Sequence, residues 1–315
     1  MRTTPVNSTD LRASVVAVPP LCRKADRSID IRENRKLISY LENGGVRTLL
    51  YGGNANLYNM AVSEYACLLE MLEAETSENT VAIPSVGPFF GNISDQAGIL
   101  RGSSFTAAMV LPAMFPARQE GVASAVRHFV EKSGIKAVLY IKDEDYISPE
   151  LIGALVGDGV ISWVKYAVVR EDPARDDYLR ELLDRIDPAM VVSGIGEQPA
   201  IVHLRDFDLA SFTSGCVCIL PSGSMRMLGA IRKGDFAEAE RIRLEFSPLE
   251  NLRNAHGPIP VLHHAVALAG IAETGTQLPL MADLDSDLME PIGNAATALM
   301  AQLPACDAGH PIEDT

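Results

Sequence analysis

The feature that most constrains this chain is the alternation of short apolar runs with amphipathic helical stretches. Eight runs have strand length: residues 14–18, 47–51, 80–84, 106–111, 136–141, 160–168, 189–192 and 216–220. Each is nearly continuous in apolar or β-branched residues and ends in Gly, Pro or a polar turn, as strands buried on both faces do. Between them, residues 34–42, 63–75, 120–132, 149–156 and 177–185 carry apolar residues at helical spacing. Such βα units in succession, with eight strands in all, predict a parallel (β/α)8 barrel. An open doubly wound sheet is disfavoured because no G-x-G-x-x-G follows the first run.

Two further amphipathic segments, residues 236–246 and 260–272, exceed what a minimal barrel requires. The expected organisation is therefore a barrel over 10–232 and a C-terminal helical segment over 233–304 packed on it. Flexible tails are expected at 1–9 and 305–315.

Composition serves mainly to exclude. With 27 basic against 41 acidic residues, a net charge of −14 leaves no basic stripe for a nucleic-acid backbone. No apolar run reaches membrane-spanning length. The N-terminus lacks the apolar stretch of a secretory signal, so the cytoplasm is the expected compartment. Five cysteines without framework spacing agree with a reducing environment. Cys216 and Cys218, spaced to share one face of a strand, read as small buried hydrophobes.

In a barrel, chemistry belongs at the C-terminal ends of strands. Lys165 lies within Ile161-Ser162-Trp163-Val164-Lys165-Tyr166, where poor solvation would favour the neutral amine that attacks carbonyls. On context alone a solvated stem is the commoner role for such a lysine. Tyr140 ends another run and offers a proton-relaying phenol, or simply a barrel-layer cap. Gly52-Gly53-Asn54-Ala55-Asn56 offers converging backbone N–H groups for an anion, or an ordinary tight turn. Arg118 begins a helix after the fourth run, where a solvated arginine is the simpler account. The six histidines are scattered, His263 and His264 point apart on a helix, and HExxH, GxSxG and P-loop motifs are missing.

Taken in order, these segments resemble the dihydrodipicolinate synthase and N-acetylneuraminate lyase family of class I aldolases, over most of the chain. Gly52 to Asn56 stand where that family has its G-T-T-G-E substrate loop, with Glu64 further along. Gln119-Glu120-Gly121 matches its Q-E-G, and Val138-Leu139-Tyr140 its tyrosine-bearing strand. Ile161 to Ala167 matches its lysine strand, and Ser193-Gly194 the turn over bound substrate. Pro258-Ile259-Pro260-Val261 nearly repeats its N-P-I-P-V-K.

The resemblance implies a Schiff-base lyase with Lys165 as nucleophile and Tyr140 as proton relay. Gly53, Asn54 and Gly194 would bind a small 2-oxo acid, with no metal or organic cofactor. It also implies self-association as a dimer or tetramer. The departures are specific. The loop threonines are replaced by Gly53 and Asn54, and the tyrosine pair after the fourth strand by Ala113 and Met114. Ile141-Lys142-Asp143 replaces Y-N-x-P, and no arginine follows shortly after Tyr140. The expected activity is therefore aldol cleavage or condensation, or dehydration of a 2-oxo-3-deoxy sugar acid, rather than true dihydrodipicolinate synthesis. The alternative is a barrel that binds and senses a 2-oxo acid without turning it over.

Overall fold

A computed structural model describes residues 1–302 of the chain. Its sheet contains nine parallel strand segments: β1 (Val16–Ala17), β2 (Thr48–Leu50), β3 (Val81–Ile83), β4 (Ser85–Val86), β5 (Ala107–Val110), β6 (Lys136–Ile141), β7 (Ile161–Tyr166), β8 (Val191–Ser193) and β9 (Ser211–Ser214). The pairing order is β3-β2-β1-β9-β8-β7-β6-β5-β4. Its two ends, β3 and β4, are consecutive in the chain and are separated only by Pro84. Proline has no N–H to give to a ladder, so the run divides there. Its first half pairs with β2 and its second with β5, which brings the sheet round into a nearly closed (β/α)8 barrel.

The strands are short and buried because helices cover the outside. Helix Ile31–Asn43 turns Leu37, Ile38 and Leu41 inward, and its Asp30 cap accepts the Glu33 N–H at 3.2 Å. Asp176 caps helix Asp177–Leu183 in the same way, accepting from Leu179 N–H at 2.9 Å.

Seven of the expected runs contain barrel strand. The run 216–220 does not: Cys216–Cys218 is a 3-10 turn leading into helix Pro221–Arg232. The eighth barrel strand is instead the preceding Ser-Phe-Thr-Ser of β9. Its two serine hydroxyls are buried but bonded to backbone, Ser211 Oγ donating to Ser14 O at 2.8 Å and Ser214 Oγ accepting from Val217 N–H at 2.9 Å, while Thr213 borders the cavity. A polar strand is tolerated inside when its enclosed hydroxyls find partners. Cys216 and Cys218 are buried in that turn rather than aligned on a strand face.

The C-terminal segment is also longer than its pattern suggested. Helix Phe236–His256 runs through Pro248, a residue that ordinarily ends a helix. Phe246 and Leu249, fully buried on either side of the proline, hold it in place. Gly257, at φ +100°, then turns the chain into helix Pro258–Leu268.

Residues 1–9, expected as a tail, include the Met1 amine on Thr76 O at 2.8 Å and Arg2 N–H on Thr80 O at 2.9 Å. The expected tail 305–315 lies outside the described residues. Among the described residues, no helix is long and apolar enough to cross a membrane.

Candidate active site

β6 and β7 lie side by side in parallel register, with Tyr140 opposite Lys165. Residues paired across neighbouring strands point to the same side of a sheet. The Lys165 Nζ therefore stands over the Tyr140 ring, 4.2 Å from its centroid. Lys165 is 4% exposed, and its amine has no hydrogen-bond partner among the described residues. Burial lowers its pKa from the usual 10.5 to about 7, helped by the positive charges of Lys142 and Arg253. A substantial share of the amine is then neutral, and so nucleophilic, at physiological pH. Burial pushes the Tyr140 phenol up to about 12, with Arg253 opposing, so it stays protonated and can donate.

Both residues open on a cavity of about 180 Å³, lined also by Gly53, Asn54, Gly194, Thr213, Gly215, Glu250 and Arg253. That is smaller than the roughly 300–1,000 Å³ of pockets for drug-sized ligands, and it suits a small molecule. Every position expected from the sequence therefore borders one space: Lys165, Tyr140, Gly53, Asn54 and Gly194. Arg118 does not, and caps its helix in an exposed position elsewhere. Glu64 is also structural, holding the buried Arg23 at 2.6 Å.

The loop after β2 is fixed from both sides. The Asn54 side-chain amide donates to Val18 O at 2.8 Å, and the Asn54 carbonyl meets His263 Nε2 at 3.0 Å. The Asn54 amide is thus engaged in holding the loop. The backbone N–H groups of Gly53 and Asn54 have no protein acceptor among the described residues.

Gly194 has a steric requirement. A Cβ there would lie 2.6 Å from Ala167 Cβ, 2.8 Å from Tyr166 O and 3.1 Å from the Lys165 stem. Gly194→Ala is expected to displace the lysine and destabilise the fold by about 1–3 kcal/mol. Urea unfolding and the rate of Lys165 modification check the two effects separately. Unchanged modification kinetics would show that the glycine does not position the lysine.

Four bordering residues were not legible in the sequence. Glu250 and Arg253 lie beyond Pro248, where the helical pattern seemed to stop, and Thr213 and Gly215 sit at the displaced eighth strand. Tyr58 is a further near neighbour, its phenol raised by burial and by the proximity of Tyr140 and Tyr146. Glu250 contacts a second buried acid: its Oε1 accepts the Glu197 backbone N–H at 2.9 Å, while Ser224 donates to Glu197 Oε1 at 2.6 Å. Among the described residues, no group of three or more His, Cys, Asp and Glu side chains is arranged to hold a metal ion.

No family model matches the chain, and no curated protein matches it in sequence. Solved structures do match in shape. Dihydrodipicolinate synthase from Bacillus clausii superposes with a TM-score of 0.79 at 19% identity, covering 92% of this chain and 97% of that one. The sialic acid aldolase of Ruminococcus gnavus gives 0.80 at 15% identity, covering 92% and 98%. A prophage protein of the dihydrodipicolinic acid synthase family from E. coli K12, solved in complex with pyruvate, gives 0.78 at 16% identity, covering 91% and 98%. The chain shares the complete fold of these proteins, barrel and C-terminal helices together.

Proposed function

We propose that the protein is a class I lyase, a divergent relative of the dihydrodipicolinate synthases and sialic acid aldolases, that forms an imine between Lys165 and a small 2-oxo acid. The observation that carries this reading is the buried, desolvated Lys165 amine over the Tyr140 ring at the C-terminal end of β7.

The acid's carboxylate accepts from the free Gly53 and Asn54 N–H groups. The neutral Lys165 amine attacks the keto carbon, giving a carbinolamine that loses water to form C=N. Tyr140 donates a proton to the departing hydroxyl. The protonated imine then withdraws the electron pair of a bond to the neighbouring carbon, forming an enamine. For an aldol, the bond between C3 and C4 breaks as the Tyr140 phenolate takes the C4 hydroxyl proton and an aldehyde departs. The enamine is then protonated at C3, and water hydrolyses the imine to pyruvate and free Lys165. For a 3-deoxy-2-oxo sugar acid, loss of a C3 proton gives the enamine, the C4 hydroxyl leaves as water, and hydrolysis of the imine again frees the product. The Tyr140 ring face stabilises the imine's positive charge. The exposed Lys142, which borders the cavity, would meet the substrate's distal end. The exposed Phe89, Phe90 and Phe115 offer apolar surface for assembly with further copies of the chain.

Borohydride reduction in the presence of pyruvate, followed by peptide mapping, is expected to leave a stable adduct on Lys165. No adduct with any of a panel of 2-oxo acids would overturn the reading. An adduct without turnover of aldols or sugar acids would favour a binding and sensing role, which the replacement of the expected relay tyrosines by Ala113 and Met114 supports.

A further inference from the structure

Arg253 is the most conspicuous group in the cavity that the mechanism above leaves unused. It projects from the last turn of helix Phe236–His256, beyond Pro248, into the space that Lys165 borders. Among the described residues it has no carboxylate within salt-bridge distance. Its protein contacts are weak: Nε to Pro258 O at 3.5 Å and Nη1 to Cys216 Sγ at 3.8 Å, with no acceptor for Nη2. A guanidinium ordinarily finds planar oxygen acceptors, so a half-buried one without them indicates an anion to be bound.

Its position identifies which anion. A Cβ on Gly215 would stand 2.7 Å from Arg253 Nη2, 2.9 Å from its Cζ and 2.8 Å from Asn54 Nδ2. The guanidinium and the Asn54 side chain therefore meet at one point, and a side chain at 215 would push them from it. That loop is also where the free Gly53 and Asn54 N–H groups lie, and where the hydroxyls of a threonine pair are missing.

Resting on the imine-forming reading above, we infer that Arg253 binds the carboxylate of the 2-oxo acid, supplying from the C-terminal helix the donors that the loop after β2 lacks. The class of ligand is then narrowed. The site takes a 2-oxo acid with a free carboxylate next to the keto group and discriminates against the corresponding ester or amide. The arginine also places its charge at the carboxylate end, leaving the keto carbon to Lys165.

Arg253→Met is expected to raise the pyruvate concentration needed for half-maximal borohydride trapping on Lys165 by about 10-fold or more, the range of a lost charge-assisted hydrogen bond. Methyl pyruvate, which has no charge to bind, should be trapped as by the unaltered protein. Arg253→Lys should recover part of the pyruvate affinity. Gly215→Ala, which crowds the guanidinium from a different element, should reproduce the selective loss and guards against a folding effect of the first variant. Unaltered pyruvate half-saturation in Arg253→Met, or equal losses for pyruvate and methyl pyruvate in both variants, would overturn the role given to Arg253 while leaving the imine intact. No adduct in the unaltered protein would instead sink the imine reading itself, and the arginine's role with it.

Discussion

Lys165→Met is expected to abolish borohydride-trapped adduct and to lower turnover by at least about 10³-fold, because among the described residues no other amine lies over the Tyr140 ring. The same substitution should stabilise the protein. In the folded state the lysine pKa is about 7 rather than the usual 10.5, so between these values the unfolded chain binds a proton that the folded chain does not. The lysine's contribution to stability therefore rises with pH through that window, and the full penalty for burying the amine is present below about pH 7. Methionine fills the same apolar space without a charge and should remove a penalty on the order of 3–5 kcal/mol at neutral pH. Denaturant unfolding from pH 6 to pH 10 tests this: the native protein should gain stability relative to the variant as pH rises through that window. Imine formation should rise with pH and reach half its maximum near pH 7. A variant that is less stable at neutral pH would mean that the lysine is held as a charged, paired group.

The second large effect lies in the Glu197 and Glu250 pair. Both carboxyls are buried and carry raised pKa values, chiefly from burial, and the charge of Glu197 adds to the shift on Glu250. Two adjacent carboxylates in such a place hold a proton that the unfolded chain has already lost. Stability from this pair is accordingly complete below the ordinary carboxylate range and declines as pH rises above it. Glu250→Gln puts a permanent donor where the shared proton sits and should flatten that decline. Glu250→Leu strips the Glu197 N–H of its acceptor and should cost about 1–3 kcal/mol. Urea titrations between pH 5 and pH 9, read as the stability difference between the native protein and each variant, separate the two. A difference between native protein and Glu250→Gln that does not change with pH would refute proton sharing.

The cluster also explains a backbone feature. Gly196 sits at φ +88°, and a Cβ there would lie within bonding range of Glu250 Oε1. The second acid fits only because residue 196 is a glycine in a left-handed conformation. The turn after β8 is thus shaped by a residue more than fifty positions later in the chain.

Much of the fold was written in local pattern. Apolar runs of strand length alternating with amphipathic stretches are a property of neighbouring residues, and they led directly to the barrel. The pairing of Tyr140 with Lys165 was also legible, because one βα unit separates them and parallel strands in register bring such positions side by side. Pattern failed where burial and apolarity parted company. β9 is polar yet internal, since its serine hydroxyls bond to backbone, so the apolar turn after it was taken for the strand.

Lys165, Tyr140 and Gly194 were singled out by the sequence alone. The far wall of the cavity was decided only in three dimensions. Pro248 ends the helical signal because proline breaks the local hydrogen-bond pattern, yet the buried Phe246 and Leu249 carry the helix past it. Packing energy from distant contacts outweighs a lost backbone bond, and no local rule can register contacts that exist only after folding. The turns beyond that proline bring Glu250 and Arg253 to the lysine, so the residues argued to select the substrate are those that tertiary structure alone could place.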